Sequence, residues 1–165
     1  SGLAIVANPA PHRAAMGTPA SYLERGADEE RVGMDWVPES SRRARVIALY
    51  TLVRTLGRDG ILDLIRRNCR LARRMATRLS PQAGVTILNE VVLNQVLVAF
   101  DAPDGDHDAM TRAVIARVQQ DGTCWAGGAI WQGRQVMRIS VSNWSTTEDD
   151  IDRSADAILQ CYAAG

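Results

Sequence analysis

Short apolar runs alternate with amphipathic stretches along the part of the chain that follows Pro81. Apolar residues at helical spacing predict one helix that follows the cap residue Asp106 and ends near residue 120, and another that Thr146 or Thr147 can cap. The apolar runs are rich in β-branched residues and bounded by turn residues, which is typical of strands. The resulting order β-β-α-β-β-α indicates an α+β fold, with a mostly antiparallel sheet and helices on one face. Strands are predicted at 85–88, 95–100, 123–125 with 129–131, and 136–141.

The first half of the chain predicts a different organisation. The apolar run LAIVA, which begins at Leu3, predicts a buried strand, and the Pro- and Gly-rich stretch at 8–40 predicts a long connector. Helical spacing then returns after Ser40 or Ser41, either of which can cap the first of two helices, and Gly57 is expected to end that helix. We therefore expect three segments: 1–39 with the strand and connector, 40–80 with linking helices, and 81–165 with the α+β domain.

All 19 basic residues of the chain are arginine and are balanced by 19 acidic residues. A formal net charge of zero does not favour nucleic acid or an anionic membrane as a partner. Eleven of the arginines lie between Ser40 and Ser80, but without interleaved aromatic residues they are typical of a solvated basic face. Because a covalent Schiff base needs a lysine amine, this chain cannot form one with a carbonyl cofactor.

The cysteines and histidines do not form a recognisable catalytic or metal-binding pattern. Cys69, Cys124 and Cys161 are far apart and include no C-x-x-C pair, so no zinc site is predicted. His12 and His107 lie in polar stretches away from any candidate nucleophile. The first residues contain no basic region followed by an apolar core, and no apolar run approaches the length of a membrane span, so neither a signal peptide nor a span is predicted and a cytoplasmic protein is expected.

Arg138 is the residue whose position in the sequence most strongly suggests a functional role. It lies in the middle of the apolar run 136–141, on the same side of the predicted strand as Val136 and Ser140. A buried guanidinium is costly without a partner, so either the strand is at an edge, or the arginine has an internal ion pair, or it presents its fork to a ligand carboxylate. The pattern alone leaves these alternatives open.

Three stretches resemble the group II decarboxylases that depend on pyridoxal 5′-phosphate (PLP), the family of the aromatic amino-acid and glutamate decarboxylases. The resemblance covers nearly the whole chain in the right order. The stretches are PESSRRAR at 38–45 with LGRDG at 56–60, LNQV at 93–96, and DGTCWAGG at 121–128 continuing through MRISVSNW at 137–144.

The resemblance implies the C-terminal portion of an enzyme with the aminotransferase-like, type I PLP fold. Segment 1–39 would then be the end of the large PLP-binding domain with a mobile loop, and 81–165 the small domain. The Schiff-base lysine is expected upstream of Ser1, so no catalytic residue is expected in this chain, which would be inactive alone. The matching arginine in the glutamate-decarboxylase branch lies near the substrate carboxylate, so the resemblance assigns Arg138 to substrate carboxylate binding or to ordering the site. A homodimer with the site at the subunit interface is also implied.

The mobile loop of the family carries a tyrosine thought to donate a proton after CO₂ leaves. The corresponding residues here, 26–37, contain Met34, Asp35 and Trp36 but no tyrosine. The proton donor is therefore open: a water, another residue, or a changed reaction such as decarboxylation coupled to oxidation. A different class, a free-standing α+β ligand-binding or regulatory module, is the alternative to an enzyme fragment.

Overall fold

The computed structural model describes residues 4–17, 33–38 and 46–165. The chain divides into two compact units, Ser1–Gly57 and Arg58–Gly165. The second unit contains a single four-stranded sheet together with the helices that pack on it. Its boundary places the second of the two predicted linking helices in the same unit as the sheet.

The sheet is antiparallel throughout, as the sequence predicts. Its strands follow the spatial order β1-β2-β4-β3, so β4 is an inner strand between β2 and β3. The strands are β1 (Val85–Ile87), β2 (Gln95–Phe100), β3 (Gly127–Trp131) and β4 (Arg134–Ser140).

One face of the sheet is covered by α3 (His107–Asp121), α4 (Glu148–Ala163) and the later part of α2 (Val46–Leu79). Because successive strand residues point to opposite faces, alternate residues of β2 and β4 enter this core. The predicted arrangement of helices on one face of the sheet is therefore confirmed. None of the described helices is both long and apolar enough to cross a bilayer. The core contains Val96, Val98, Phe100, Met137 and Ile139 from the sheet, with Leu71, Met75, Leu79, Val114, Val118 and Ile158 from the helices.

The predicted helix caps form as the sequence indicates. The Asp106 carboxylate accepts a hydrogen bond from the Ala109 N–H at 2.9 Å, which satisfies a free donor at the start of α3. Thr147 and Asp150 exchange hydrogen bonds in a capping box at the start of α4. The hydrogen bonds from the Thr147 backbone and side chain lower the pKa of Asp150.

β3 and β4 are joined by a tight hairpin. The strand predicted at 123–125, before β3, is wrong. Gln132 and Gly133 both have positive φ, 49° and 80°, as a two-residue hairpin loop requires. At 122–125 the chain instead leaves α3 through a left-handed Gly122, and the Asp121 carboxylate accepts from the Thr123 N–H at 3.1 Å. This local hydrogen bond takes the place of a ladder bond.

The first unit differs from its sequence prediction. Among residues 4–7 no strand forms, and Ile5 is 97% exposed, so the predicted buried strand is wrong over the described residues. The expected connector also contains an unpredicted helix, α1 (Pro9–Met16), which Asn8 caps by accepting from the Ala10 N–H. An Asn-Pro pair that supplies both N-cap and first helical residue could have indicated it. The proposed helix caps Ser40 and Ser41 lie outside the described residues.

Gly57 interrupts α2 where the sequence predicts a stop. Its backbone angles, φ 61° and ψ −170°, are not helical and belong to a region that only glycine occupies readily. The prediction of two helices separated at Gly57 is therefore confirmed locally, although the helical residues on both sides are otherwise continuous.

An ion-pair ladder, formed by Arg74 and Arg78 of α2 with Glu148, Asp152 and Asp156 of α4, joins the two helices. Spacing of four residues on each helix places these side chains on facing surfaces. Arg74 pairs with Asp152 through two hydrogen bonds of 2.8 and 2.7 Å, and Arg78 pairs with Asp156 at 2.6 Å. Hydrogen bonding to Arg74 lowers the pKa of Asp152.

This ladder predicts a loss of stability at acid pH. The pKa of Asp152 is lower in the folded protein than in the unfolded chain. Its contribution to the stability of the fold is therefore complete above the ordinary aspartate pKa of about 4, and it is lost as the pH falls through the lowered pKa. We expect the protection factors of the α4 amides, which are corrected for the intrinsic pH dependence of exchange, to fall below about pH 4 more in the wild type than in Asp152→Asn. Asp156→Asn, whose carboxylate is more exposed, is the matched control. Equal pH dependence in all three proteins would contradict the prediction.

Candidate functional site

Arg138 lies at the centre of the sheet rather than at its edge. Its neighbours across the ladder are Leu97 on β2 and Gly127 on β3. Met137 and Ile139, on either side of it in sequence, enter the helix-covered core, so Arg138 projects from the opposite face. We call that opposite face the second face of the sheet, defined by Leu97, Ala99, Val136, Arg138 and Ser140.

The guanidinium of Arg138 is exposed and has no charged partner among the described residues. Its neighbours on the second face are apolar or small, including buried Leu97 and Val136 and uncharged Ser140. The edge-strand alternative is therefore wrong, and no internal ion pair is found in the part of the chain that the structure describes. Arg138 is therefore a solvent-exposed arginine on an inner strand, and its guanidinium carries five N–H donors of the kind that bind anions.

A cleft of about 490 Å³ opens at the end of β4, close in sequence to Arg138. Its floor is apolar and its rim carries hydroxyl and amide groups, with the exposed indole of Trp125 beside it. The carboxylate at this cleft, Asp150, is already engaged in the capping box of α4. The residues that line the cleft include Cys124, Trp125, Ser140, Asn143, Asp150 and Ser154.

Cys124 is poorly suited to be a nucleophile in this cleft. Burial raises the pKa of its thiol, so the reactive thiolate is disfavoured at neutral pH. Its sulfur instead lies 4.0 Å from the Ser154 carbonyl oxygen. Cys69 is buried and Cys161 half-buried, which supports the interpretation of all three cysteines as packing residues.

Both histidines have structural contacts in the described residues. His107 accepts a hydrogen bond from the Ala102 N–H at Nδ1, 2.9 Å away, and so fixes the turn before α3. His12 contacts the ring of Trp36 edge to face at 5.6 Å. Among the described residues, no group of His, Cys, Asp or Glu side chains is arranged to hold a metal ion.

The mobile-loop candidates Met34, Asp35 and Trp36 lie in a short 3₁₀ helix, Gly33–Trp36. Asp35 is only 5% exposed and its carboxylate accepts from Arg13 Nε at 3.2 Å. This ion pair and the His12–Trp36 contact connect the 3₁₀ helix to α1. Movement of this segment stays a prediction.

Sequence reasoning identified Arg138 but missed Leu97 and Gly127, the two residues beside it. They lie 41 and 11 positions away in the chain, and only the register of the strands brings them together. Gly127–Gly128 within a predicted strand region is the one available signal, since glycine in a strand often marks a close approach.

No family model matches the chain. It is 24% identical over 156 residues to tyrosine decarboxylase 2 of Arabidopsis thaliana, covering 91% of this chain and 28% of the relative. It is 23% identical over 123 residues to a probable aromatic-L-amino-acid decarboxylase of Caenorhabditis elegans, covering 74% of this chain and 13% of that protein. The chain therefore spans less than a third of either relative.

Solved structures share the fold at similar coverage. Mouse CSAD matches with a TM-score of 0.74 at 18% identity, covering 91% of this chain and 34% of that one. Oryza sativa TDC in complex with PLP matches with a TM-score of 0.71 at 19% identity, and the match covers 79% of this chain and 29% of that one. Rhodiola rosea 4-hydroxyphenylacetaldehyde synthase also matches with a TM-score of 0.71, at 21% identity, and the match covers 79% of this chain and 28% of that one. The resemblance seen in the sequence is thus confirmed: in sequence and in fold, this α+β chain is similar to part of the group II PLP-dependent decarboxylases.

Proposed function

We propose that this chain is the C-terminal part of a PLP-dependent L-amino-acid decarboxylase, which releases CO₂ from an amino acid to give an amine. The observation that carries the proposal is the exposed guanidinium of Arg138 on an inner strand, without an acidic partner among the described residues. Its setting is a fold shared with enzymes of this class. The type I PLP fold of the whole protein is part of the same proposal.

Arg138 is assigned to the α-carboxylate of the substrate. A guanidinium fork matches a carboxylate in geometry and charge, and the two parallel hydrogen bonds fix its orientation. Its apolar neighbours, Leu97 and Val136, supply no competing anion. Binding energy at this position orients the substrate for reaction at its α-carbon.

The cofactor supplies the electron sink for loss of the carboxylate, and this chain contributes no lysine to attach it. The Schiff-base lysine therefore belongs to the remainder of the protein, and we assign no residue described here to cofactor binding. On this proposal the separated chain is inactive. The family resemblance further favours a homodimeric, cytoplasmic enzyme whose partners are its amino-acid substrate and its own upstream domain.

A second reaction on the same fold is decarboxylation coupled to oxidation, which gives an aldehyde instead of an amine. It is favoured by the similarity to an enzyme named as an aldehyde synthase and by the absence of tyrosine at 26–37. A free-standing ligand-binding or regulatory module is the alternative from another class.

The test begins with the intact mass and absorbance spectrum of the protein purified from its natural source. We expect a mass well above the 18.0 kDa of this chain and a visible cofactor band that borohydride removes. Incubation with L-amino acids should release CO₂ and an amine, whereas an aldehyde with oxygen consumption would favour the second reaction. A mass equal to this chain, without a cofactor band, would overturn the proposal and favour the free-standing module.

A further inference from the structure

Gly127 lies directly across the β3–β4 ladder from Arg138, and the fold does not explain why it is a glycine. Glycine weakens a strand, and its usual reasons are a positive φ or a close contact. Neither applies within the described structure: Gly127 is not among the residues with positive φ, and a Cβ built on it would meet no atom of the described residues within 4 Å. An alanine would fit the backbone and the surrounding space.

Gly128, the next residue, differs from Gly127 because a side chain at this position would meet neighbouring atoms. A Cβ at Gly128 would lie 2.8 Å from Gln135 Nε2 and 3.6 Å from Ile115 Cδ1, on the helix-covered face. Packing against the hairpin and α3 therefore accounts for Gly128. The two adjacent glycines point to opposite faces and have different physical causes.

The two flanks of Arg138 are unequal. On β2 the facing residue is Leu97, which is only 9% exposed and whose N–H donates to Asn89 Oδ1 at 2.8 Å. Directly facing residues have Cβ atoms about 5 Å apart, so this isobutyl group limits one side of the arginine. On β3 the facing residue has no side chain, so the other side is open.

We propose that Gly127 is a specificity-determining residue, whose missing side chain leaves the space occupied by the part of a ligand next to its carboxylate. A carboxylate held by the Arg138 fork has Leu97 on one flank, so the atoms attached to it lie over Gly127. The ligand class is an α-amino acid or another small carboxylate with a substituted α-carbon. The identity of that ligand rests on the proposed function, whereas the open flank does not.

The first test compares Gly127→Ala and Gly127→Ser with Gly128→Ala in the full-length protein. One added carbon in a fitted space costs about tenfold, so we expect KM for the amino acid to rise about tenfold with kcat changed far less. Gly128→Ala is expected to leave KM unchanged, because its side chain meets the other face. A KM within twofold of the wild type for both substitutions at 127 overturns the inference and leaves the proposed function intact.

A second readout does not depend on turnover. Phenylglyoxal labels accessible guanidinium groups, and peptide mass spectrometry measures the rate at Arg138. We expect Gly127→Val to slow labelling of Arg138 several-fold relative to the wild type while leaving Arg134 unchanged. If the wild type converts no amino acid, the proposed function fails, and this comparison still tests whether the flank of Arg138 beside Gly127 is open. Equal labelling rates of Arg138 in the two proteins overturn the inference.

Discussion

Arg138→Met is expected to lower kcat/KM of the intact enzyme by two to three orders of magnitude. Methionine keeps an unbranched stem on the inner strand but removes the guanidinium, so the substrate carboxylate loses its partner. The bidentate pair comprises two hydrogen bonds between charged groups, and each such bond contributes roughly 1.5–3 kcal/mol, which is enough for a loss of this size. Because Arg138 is exposed and has no charged partner among the described residues, we expect no comparable loss of stability. Steady-state kinetics on the full-length protein measures the first effect, and amide exchange in β4 measures the second.

Arg134→Met is the matched control, since Arg134 is an exposed arginine on the same strand and on the same face. We expect it to retain nearly all of kcat/KM. Arg138→Lys should fall between the wild type and Arg138→Met, because an ammonium keeps the charge but not the planar fork. Equal losses in Arg134→Met and Arg138→Met would indicate a diffuse charge effect and would contradict a specific carboxylate site.

The sheet and its helices were predictable because their periodicities are strong and local. The apolar run at 95–100 coincides with β2, and the caps Asp106 and Thr147 occupy the positions that the sequence indicates. These features depend on residues within a few positions of one another. The stop at Gly57 was predictable for the same reason, since a positive φ is a property of one residue.

The errors arose where an apolar run has no partner in the described structure. Residues 4–7 have the composition of a buried strand, but a strand needs a neighbour for its hydrogen bonds, and here Ile5 is exposed. At 123–125, the side chain of Asp121 satisfies a backbone donor that a ladder would otherwise pair. In both places the pattern described side chains correctly but could not describe where the backbone hydrogen bonds go.

The candidate site was predictable only in part, for a geometric reason. The alternation of side chains along the strand placed Arg138 on the same face as Val136 and Ser140, and the family resemblance suggested what it binds. The unequal flanks formed by Leu97 and Gly127 depend on the order β1-β2-β4-β3, in which β4 pairs with a strand 34 or more positions earlier. Register across such a separation follows from packing of the whole core rather than from local sequence.

That core supplies the largest stability prediction. Phe100 is fully buried at the end of β2, and its N–H donates to Thr111 Oγ1 of α3 at 3.2 Å. Its ring packs against that of Tyr162 on α4, with centroids 5.2 Å apart. The Tyr162 hydroxyl in turn donates to the Asp101 carbonyl oxygen at 2.9 Å. Phe100 thus contacts α3 through a backbone N–H that an alanine would keep, and it packs in the core and against α4 through a ring that an alanine would lose.

We expect Phe100→Ala to lower the free energy of unfolding of the second unit by about 3–5 kcal/mol, through lost burial and the cavity left behind. That is a large share of the roughly 5–15 kcal/mol that stabilises a typical domain. Amide exchange of β2 and α4 in the full-length protein measures the change locally. Tyr162→Phe is the control: it keeps the ring contact, loses one hydrogen bond, and should cost only about 0.5–1.5 kcal/mol. Equal effects of the two substitutions would mean that the hydrogen bond to Asp101, rather than packing of the Phe100 ring, holds α4 on the sheet.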